Sequence, residues 1–423
     1  MLKLFATVVF LSIAADRASA QTLTPAEEAA EEKFREEEAE KPGFKIYGWV
    51  ESSFTGNPAG PNDNQNFGRL FDDRSNEFVM NQAVINAERV LDSKLDFDWG
   101  FKLQLLFGTD ARYIYSLGMR YHNAGTGHYQ GDIPEAYLSL QLPLLTEGGL
   151  EVKLGKFVSL EGAESVDPRE NPFFSHTYIF NFGVPTSHTG ALFTLHTTSW
   201  LDLIAGVTRG VNTSIDDNNN SPAFHGGVGL SFNEEKLVVL ASTHIGPESD
   251  DNDTDPTYFN DITVTWKMTD KFTSITDLNY VRDSEADADA YGVARYFTYT
   301  INDKIAVGVR GEVWRYDKGA YVAQYANPSD PSRSFSGAST VDPRTVDGAR
   351  TTYGALTIGL NIKLPMPKPL RCLTIRPELR VDHAFDDRPF NDSSDDTMFT
   401  AAPCSYPRTV VIPIRMIRSI NCG

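Results

Sequence analysis

The sequence predicts an all-β fold: a transmembrane antiparallel β-barrel of about sixteen strands, with short periplasmic turns and long extracellular loops. Three observations predict it. The chain opens on an export signal and afterwards has no run of ~18 apolar residues that could cross a bilayer as a helix. From Phe44 onward it breaks into segments of alternating apolar and polar residues, the period of a strand with a different environment on each face. The connections alternate short and long, which a membrane barrel requires and a β-sandwich does not.

Taken in order, Lys3 supplies a positive n-region, Leu4 to Ala15 is apolar, and Ala18-Ser19-Ala20 is a small-residue cleavage site, so residues 1–20 read as a signal peptide. No Cys follows the cleavage site, so no lipoprotein anchor is expected. Residues 21–43 form an acidic lead segment. Its stretch PAEEAAEEKFREEEAEK favours helix, but Phe34 is its only large apolar residue, so it has no stripe to bury against a core. The barrel is expected over 44–402. Its strands are predicted at 44–54, 78–91, 97–108, 132–142, 149–160, 186–197, 201–209, 223–233, 236–246, 257–268, 271–282, 290–301, 303–316, 350–363 and 372–384, with a last one beginning near Asp396.

Short connections fall at Asp92–Asp96, Pro143–Gly148, Thr198–Trp200, Asn233–Glu235, Thr269–Asp270, Asn302 and Pro365–Arg371. Long or polar ones fall at 55–77, 109–131, 161–185, 210–222, 247–256, 283–289, 317–349 and 385–395. The two faces of each strand differ as a barrel wall needs. Strand 97–108 sets Trp99, Phe101, Leu103 and Leu105 against Asp98, Lys102 and Gln104. Strand 303–316 sets Val307, Val309 and Val313 against Arg310 and Glu312. Strand 372–384 sets Leu379 and Val381 against Arg376, Glu378, Arg380 and Asp382. In a membrane barrel the apolar face meets lipid and the polar face lines the lumen. Trp99, Trp200, Tyr258 and Trp266 stand near strand ends, where aromatic girdles sit.

Composition excludes several classes. Net charge is -19, too acidic for a nucleic-acid binder, which needs a basic face. Three Cys in an exported chain exclude a disulfide scaffold. Asp251-Asn252-Asp253-Thr254-Asp255 lacks the Gly and the later Glu of an EF-hand loop, and no spacing defines a metal site. There is no G-x-S-x-G, H-E-x-x-H or Walker motif. His176 and His188 flank an aromatic patch, but no Ser and His share a spacing that would pair them, so structural histidines are the simpler reading. No catalytic residue and no cofactor is expected.

Two stretches stand out. Between strands 149–160 and 186–197 lies a long connection with Glu161, Glu164, Asp167, Arg169 and Glu170, then Phe173, Phe174, Tyr178, Phe180 and Phe182. A loop this long is usually functional, and five aromatic rings need something to pack on, so it is expected to fold back onto protein. At the other extreme, residues 403–423 form an anomalous tail. From Thr397 there is no Asp or Glu, two of the Cys occur there, and Pro403, Pro407 and Pro413 interrupt what should be the closing strand. A change of reading frame just after Ala402 would account for it.

Several stretches resemble the OmpL-like β-barrel porin family: Glu135-Ala136-Tyr137-Leu138, Lys153-Leu154-Gly155-Lys156-Phe157, Asn171-Pro172-Phe173-Phe174-Ser175-His176, Phe180-Asn181-Phe182-Gly183 and Thr186-Ser187-His188-Thr189-Gly190. Arg74-Ser75-Asn76-Glu77-Phe78 and Asn81-Gln82-Ala83 look like the family's second-strand opening. The resemblance runs from about Phe44 to about Phe399. It implies an outer-membrane barrel of porin type, with an inward loop at the third long connection. It supplies no solute and no catalytic residue.

The expected function is a water-filled channel for passive diffusion of small hydrophilic solutes, since a barrel of about sixteen strands leaves an aqueous lumen. Outer-membrane lipid and those solutes are its expected partners, with a homo-oligomer left open and no nucleic acid. The alternatives are a substrate-specific transporter, or an adhesin using the polar loop 317–349. The candidate constriction sets Glu161, Glu164, Asp167, Arg169 and Glu170 on the loop against Arg310, Arg376 and Arg380 on the lumen wall, facing one another over a narrow wet gap.

Overall fold

The computed structural model describes residues 43–92, 96–118, 127–250, 252–317, 322, 351–366, 370–404 and 408–412. The signal peptide, nearly all of the lead segment, most of loop 317–349 and the tail after Ile412 lie outside the described residues.

Nineteen strand segments form one closed sheet: β1 (Phe44–Gly56), β2 (Phe78–Arg89), β3 (Asp98–Gly108), β4 (Gln130–Asp132), β5 (Ala136–Leu142), β6 (Leu150–Val158), β7 (Ser187–Thr198), β8 (Leu201–Thr208), β9 (Ala223–Phe232), β10 (Leu237–Pro247), β11 (Pro256–Lys267), β12 (Phe272–Asp283), β13 (Ala288–Asn302), β14 (Ile305–Tyr316), β15 (Thr351–Pro365), β16 (Leu370–Ile375), β17 (Glu378–Ala384), β18 (Thr397–Cys404) and β19 (Arg408–Ile412). Three pairs of segments, β4–β5, β16–β17 and β18–β19, are single staves with a break, so the barrel has sixteen antiparallel strands.

The breaks have a local cause. Pro134 and Pro377 have no N–H to donate to the ladder. Each predicted strand that contains one, 132–142 and 372–384, is divided there. Neighbouring backbone still bonds across the breaks, from Gln104 N–H to the Glu135 carbonyl and from Leu360 N–H to the Pro377 carbonyl. Every other predicted strand is present with ends shifted by a few residues. The alternation of connections holds with one exception. β12 and β13 are joined by only residues 284–287, because β13 starts earlier than its sequence pattern indicates.

Closure uses the last two segments. β1 pairs with β2 along its length, and on its other edge with β18 at Phe54↔Cys404 and with β19 at Ile46↔Ile412 to Gly48↔Val410. Part of segment 403–423 therefore lies in the ladder that joins the barrel's ends.

The faces are those of a barrel in lipid. Outward residues are large, apolar and exposed: Ile358 in the middle of β15 is 50% exposed and Leu379 on β17 is 66% exposed. Their neighbours on the inward face are charged and buried. Arg380 is 3% exposed, and Glu378 and Asp382 are buried with it. This inverts the arrangement of a soluble protein, and the apolar girdle is stable only against hydrocarbon.

Candidate functional site

The connection from β6 to β7, residues 159–186, does not stay outside the barrel. It enters the lumen and is held on several sides of the wall. Gln82 on β2 donates Nε2–H to the Val166 carbonyl at 2.9 Å. Asp277 on β12 accepts from Ala163 N–H at 3.0 Å, and Asn279 donates to the Gly183 carbonyl at 3.0 Å. Asn361 on β15 donates to the Pro172 carbonyl at 2.8 Å. Glu378 on β17 accepts from the N–H groups of Phe174 and Ser175 at 3.0 and 3.1 Å, and Glu312 on β14 accepts from Tyr178 N–H at 2.7 Å. A mostly irregular loop has many unpaired backbone groups, and here the lumen wall supplies partners for them.

The aromatic patch supplies the apolar part of the docking. Phe173, Phe174, Tyr178 and Phe180 are buried, and a single helical turn over Ile179–Gly183 carries the last of these rings. Tyr178 stacks on Tyr353 of β15 at 5.0 Å between ring centroids. The wall makes room for Phe173 by omitting a side chain: a Cβ on Gly308 would lie 2.8 Å from the Phe173 ring. Gly183 marks a second close approach, where a Cβ would come within 2.6 Å of the Trp314 indole.

The structure separates the predicted site residues. Glu164 and Arg310 come into direct contact at 2.7 Å, both buried. Glu164 also bonds His176 Nδ1 at 2.9 Å, Thr177 N–H at 3.0 Å and the Tyr296 hydroxyl at 3.0 Å. Burial pushes the Glu164 carboxyl up, but Arg310 beside it, His176 and the Thr177 N–H outweigh that and hold it down to about 2. Arg376 and Arg380 hold loop backbone, at the carbonyls of Pro168 and His176. Arg380 also pairs with Glu312 at 3.0 Å and Asp382 at 2.7 Å. Asp167 and Arg169 pair with each other, and the Arg169 guanidinium lies over Trp49 of β1 at 4.0 Å. Glu170 is exposed.

The expected wet gap between acids and arginines is thus not what these groups form. The loop inserts far enough to dock on the arginine wall, so opposite charges close into contacts. Glu161 leaves the group altogether: it points to a cluster of histidines on β7, β9 and β10.

The first long connection, residues 57–77, was expected to be external, and it too folds inward. Phe67, Arg69, Leu70, Phe71, Asp72 and Asp73 are buried, and Arg69 reaches Asp382 at 3.5 Å and the Thr400 hydroxyl at 2.9 Å. The signal was present in its apolar residues Phe67, Leu70 and Phe71, which an external loop has no reason to carry in a row with charges.

The family model described as "Putative beta-barrel porin-2, OmpL-like" matches residues 43–404. No curated protein sequence matches the chain. Among solved structures, the outer membrane channel DcaP of Acinetobacter baumannii is similar at TM-score 0.51 and 11% identity, over 88% of this chain and 96% of that one. Salmonella typhi OmpF, in a complex with daunomycin, is similar at TM-score 0.54 and 11% identity, over 88% and 98%. Pseudomonas putida OprB is similar at TM-score 0.51 and 13% identity, over 89% and 96%.

Proposed function

We propose, for a chain that belongs to the OmpL-like β-barrel porin family, that the inward loop 159–186 is the constriction of its channel. The protein is an outer-membrane porin, a water-filled barrel for passive diffusion of small hydrophilic solutes. The observation that carries the constriction is the reach of the loop: it bonds Gln82 on β2, Asp277 on β12 and Glu378 on β17, which are well separated around the wall.

The loop and the arginine wall pack against each other, which leaves the β1–β6 side of the lumen for the path of solute. There the inward residues Tyr47, Glu88, Lys102, Tyr137, Glu151 and Lys153 are only half-buried. Both signs of charge occur among them. Lys102 pairs with Glu135, and Glu88 accepts from the Tyr47 hydroxyl at 3.0 Å. A lumen lined by both signs at close spacing discriminates weakly between cations and anions and favours hydrated, dipolar solutes over apolar ones.

Deleting residues 163–170 and measuring single-channel conductance in planar bilayers tests this. A clear rise is expected. Unchanged conductance from an intact barrel would place the constriction elsewhere, and no conductance from the unaltered protein would favour the adhesin reading. Saturable block by one solute would favour the substrate-specific transporter.

A further inference from the structure

Three of the chain's histidines meet behind the inward loop. His225 on β9 and His244 on β10 stand directly opposite each other in the hairpin ladder. His188 on β7 reaches them past β8, whose inward residues there are the small Gly206 and Thr208. The ring nitrogens available as ligands lie within 4.8 Å of one another, and all three rings are fully buried. Ring centroids are 4.2 Å apart for His188 and His225 and 4.4 Å for His188 and His244.

The outer hydrogen bonds orient the rings. A carbonyl can only accept, so His188 donates Nδ1–H to the Gly210 carbonyl at 3.0 Å and keeps a lone pair on Nε2. With Glu248 ionised, His244 donates Nε2–H to its carboxylate at 2.7 Å and keeps a lone pair on Nδ1. That Nδ1 has no hydrogen-bond partner, and neither ring nitrogen of His225 has one. The loop contributes Glu161, whose Oε1 also has no hydrogen-bond partner and lies 3.6 Å from His225 Nδ1. Ser159 links the two halves, bonding Glu161 Oε2 and lying 2.9 Å from His188 Nε2.

Buried polar atoms without partners are rare because each forfeits its hydration. Here several are aimed at one point: His244 Nδ1, Glu161 Oε1 and the one nitrogen of His225 that carries a lone pair, its other nitrogen holding the proton. Ordinary packing does not account for this. A cation does.

We propose that His188, His225, His244 and Glu161 form a site for one first-row divalent transition-metal ion of the zinc type. Imidazole nitrogen and carboxylate oxygen are the donors such ions accept, and three histidines with a fourth oxygen complete a tetrahedral set. Ligand nitrogens in such a site lie roughly 3.4 Å apart, so the rings must close in by about 1 Å. The Gly210 carbonyl and Glu248 are the outer partners that fix the tautomers of ligating histidines. The ion would tie the loop, through Glu161, to the wall formed by β7, β9 and β10. This inference does not depend on how the channel conducts.

The test uses the full mature chain without an affinity tag, folded in detergent, stripped with a chelator, exposed to Zn²⁺ or Co²⁺ and desalted. One ion per chain is expected by elemental analysis. Co²⁺ should show the visible ligand-field absorption of a tetrahedral site, and metal should raise the temperature at which the folded band is lost. H225F and H244Q should abolish retention, E161Q should weaken it, and E248Q should weaken it by about 10–100-fold. H196Q, which alters a half-exposed histidine paired with Asp202, should bind as the unaltered protein does. Failure of the unaltered chain to retain metal would overturn the proposal, as would equal retention by E161Q and H244Q. E161Q and E248Q carry the test if the histidine variants do not fold.

Discussion

The arginine wall on β14–β17 and the histidine wall on β7, β9 and β10 hold the same loop from two sides, and both do it with buried polar side chains. On the arginine side the central charges have their opposites within the protein. Arg310 has Glu164, and Arg380 has Glu312 and Asp382. On the histidine side the groups are neutral rings and a carboxylate, with lone pairs that nothing in the protein uses. Buried charges must be paired, because an isolated one forfeits too much hydration. The ion pairs of the first wall are thus closed within the protein, whereas the lone pairs of the second are closed only by a cation. The loop is docked permanently on one side and conditionally on the other.

The largest expected effect breaks the complete side. R310A strands Glu164 in a buried site and is expected to lower barrel stability by about 3–5 kcal/mol. This would be read as a shift in the urea midpoint of the heat-modifiable band. Removing both charges with R310M/E164M should recover most of that loss, since it leaves no buried charge unpaired. If the double variant is as unstable as R310A, the pair is not what holds the loop.

Acid should loosen the same side. The folded Glu164 lies at about 2 against an ordinary 4.5, so its contribution is fully present above pH 4.5 and is lost as pH falls from there through 2. The total is about 3 kcal/mol. Urea midpoints taken across that window should fall in the unaltered protein and fall less in E164Q. Equal slopes would place the acid sensitivity in other carboxylates.

R376A should cost less, about 1.5–3 kcal/mol, because it removes charged hydrogen bonds to the Pro168 carbonyl and Asn361 rather than stranding Glu164. The smallest effect belongs to the other wall. In chelator, H225F should change stability by no more than about 1 kcal/mol, since the ring it replaces makes no hydrogen bond. A loss as large as that of R310A would mean the histidines are structural partners in their own right.

Much of the barrel was legible in the chain because strand period and connection length are local. Val309 and Arg310 differ in face by parity alone, and the structure exposes the first and buries the second. The five loop aromatics likewise announced that residues 159–186 would pack on protein. Even half of the histidine site was within reach. The hairpin turns over residues 233–236, so residues 225 and 244 face each other, whereas a turn of Asn233-Glu234-Glu235 alone would set 225 against 243. His188 was not within reach, because it lies two strands away and its approach depends on Gly206 and on barrel curvature. The inward fold of residues 57–77 was missed because loop length says nothing about direction.

The sequence by itself determined the strand count, which side chains face lipid and which face the lumen, and that one loop could not remain outside. Each of these follows from side-chain chemistry at fixed spacing. Only the tertiary structure decided that the arginines touch the loop instead of facing it over water, that Glu161 turns from them to the histidines, and that β1 closes onto β18 and β19. The physical reason is common to all three. A strand fixes the face on which a side chain lies. How deep a loop inserts is set by the sum of its contacts with walls far away in the chain, and no local pattern contains that sum.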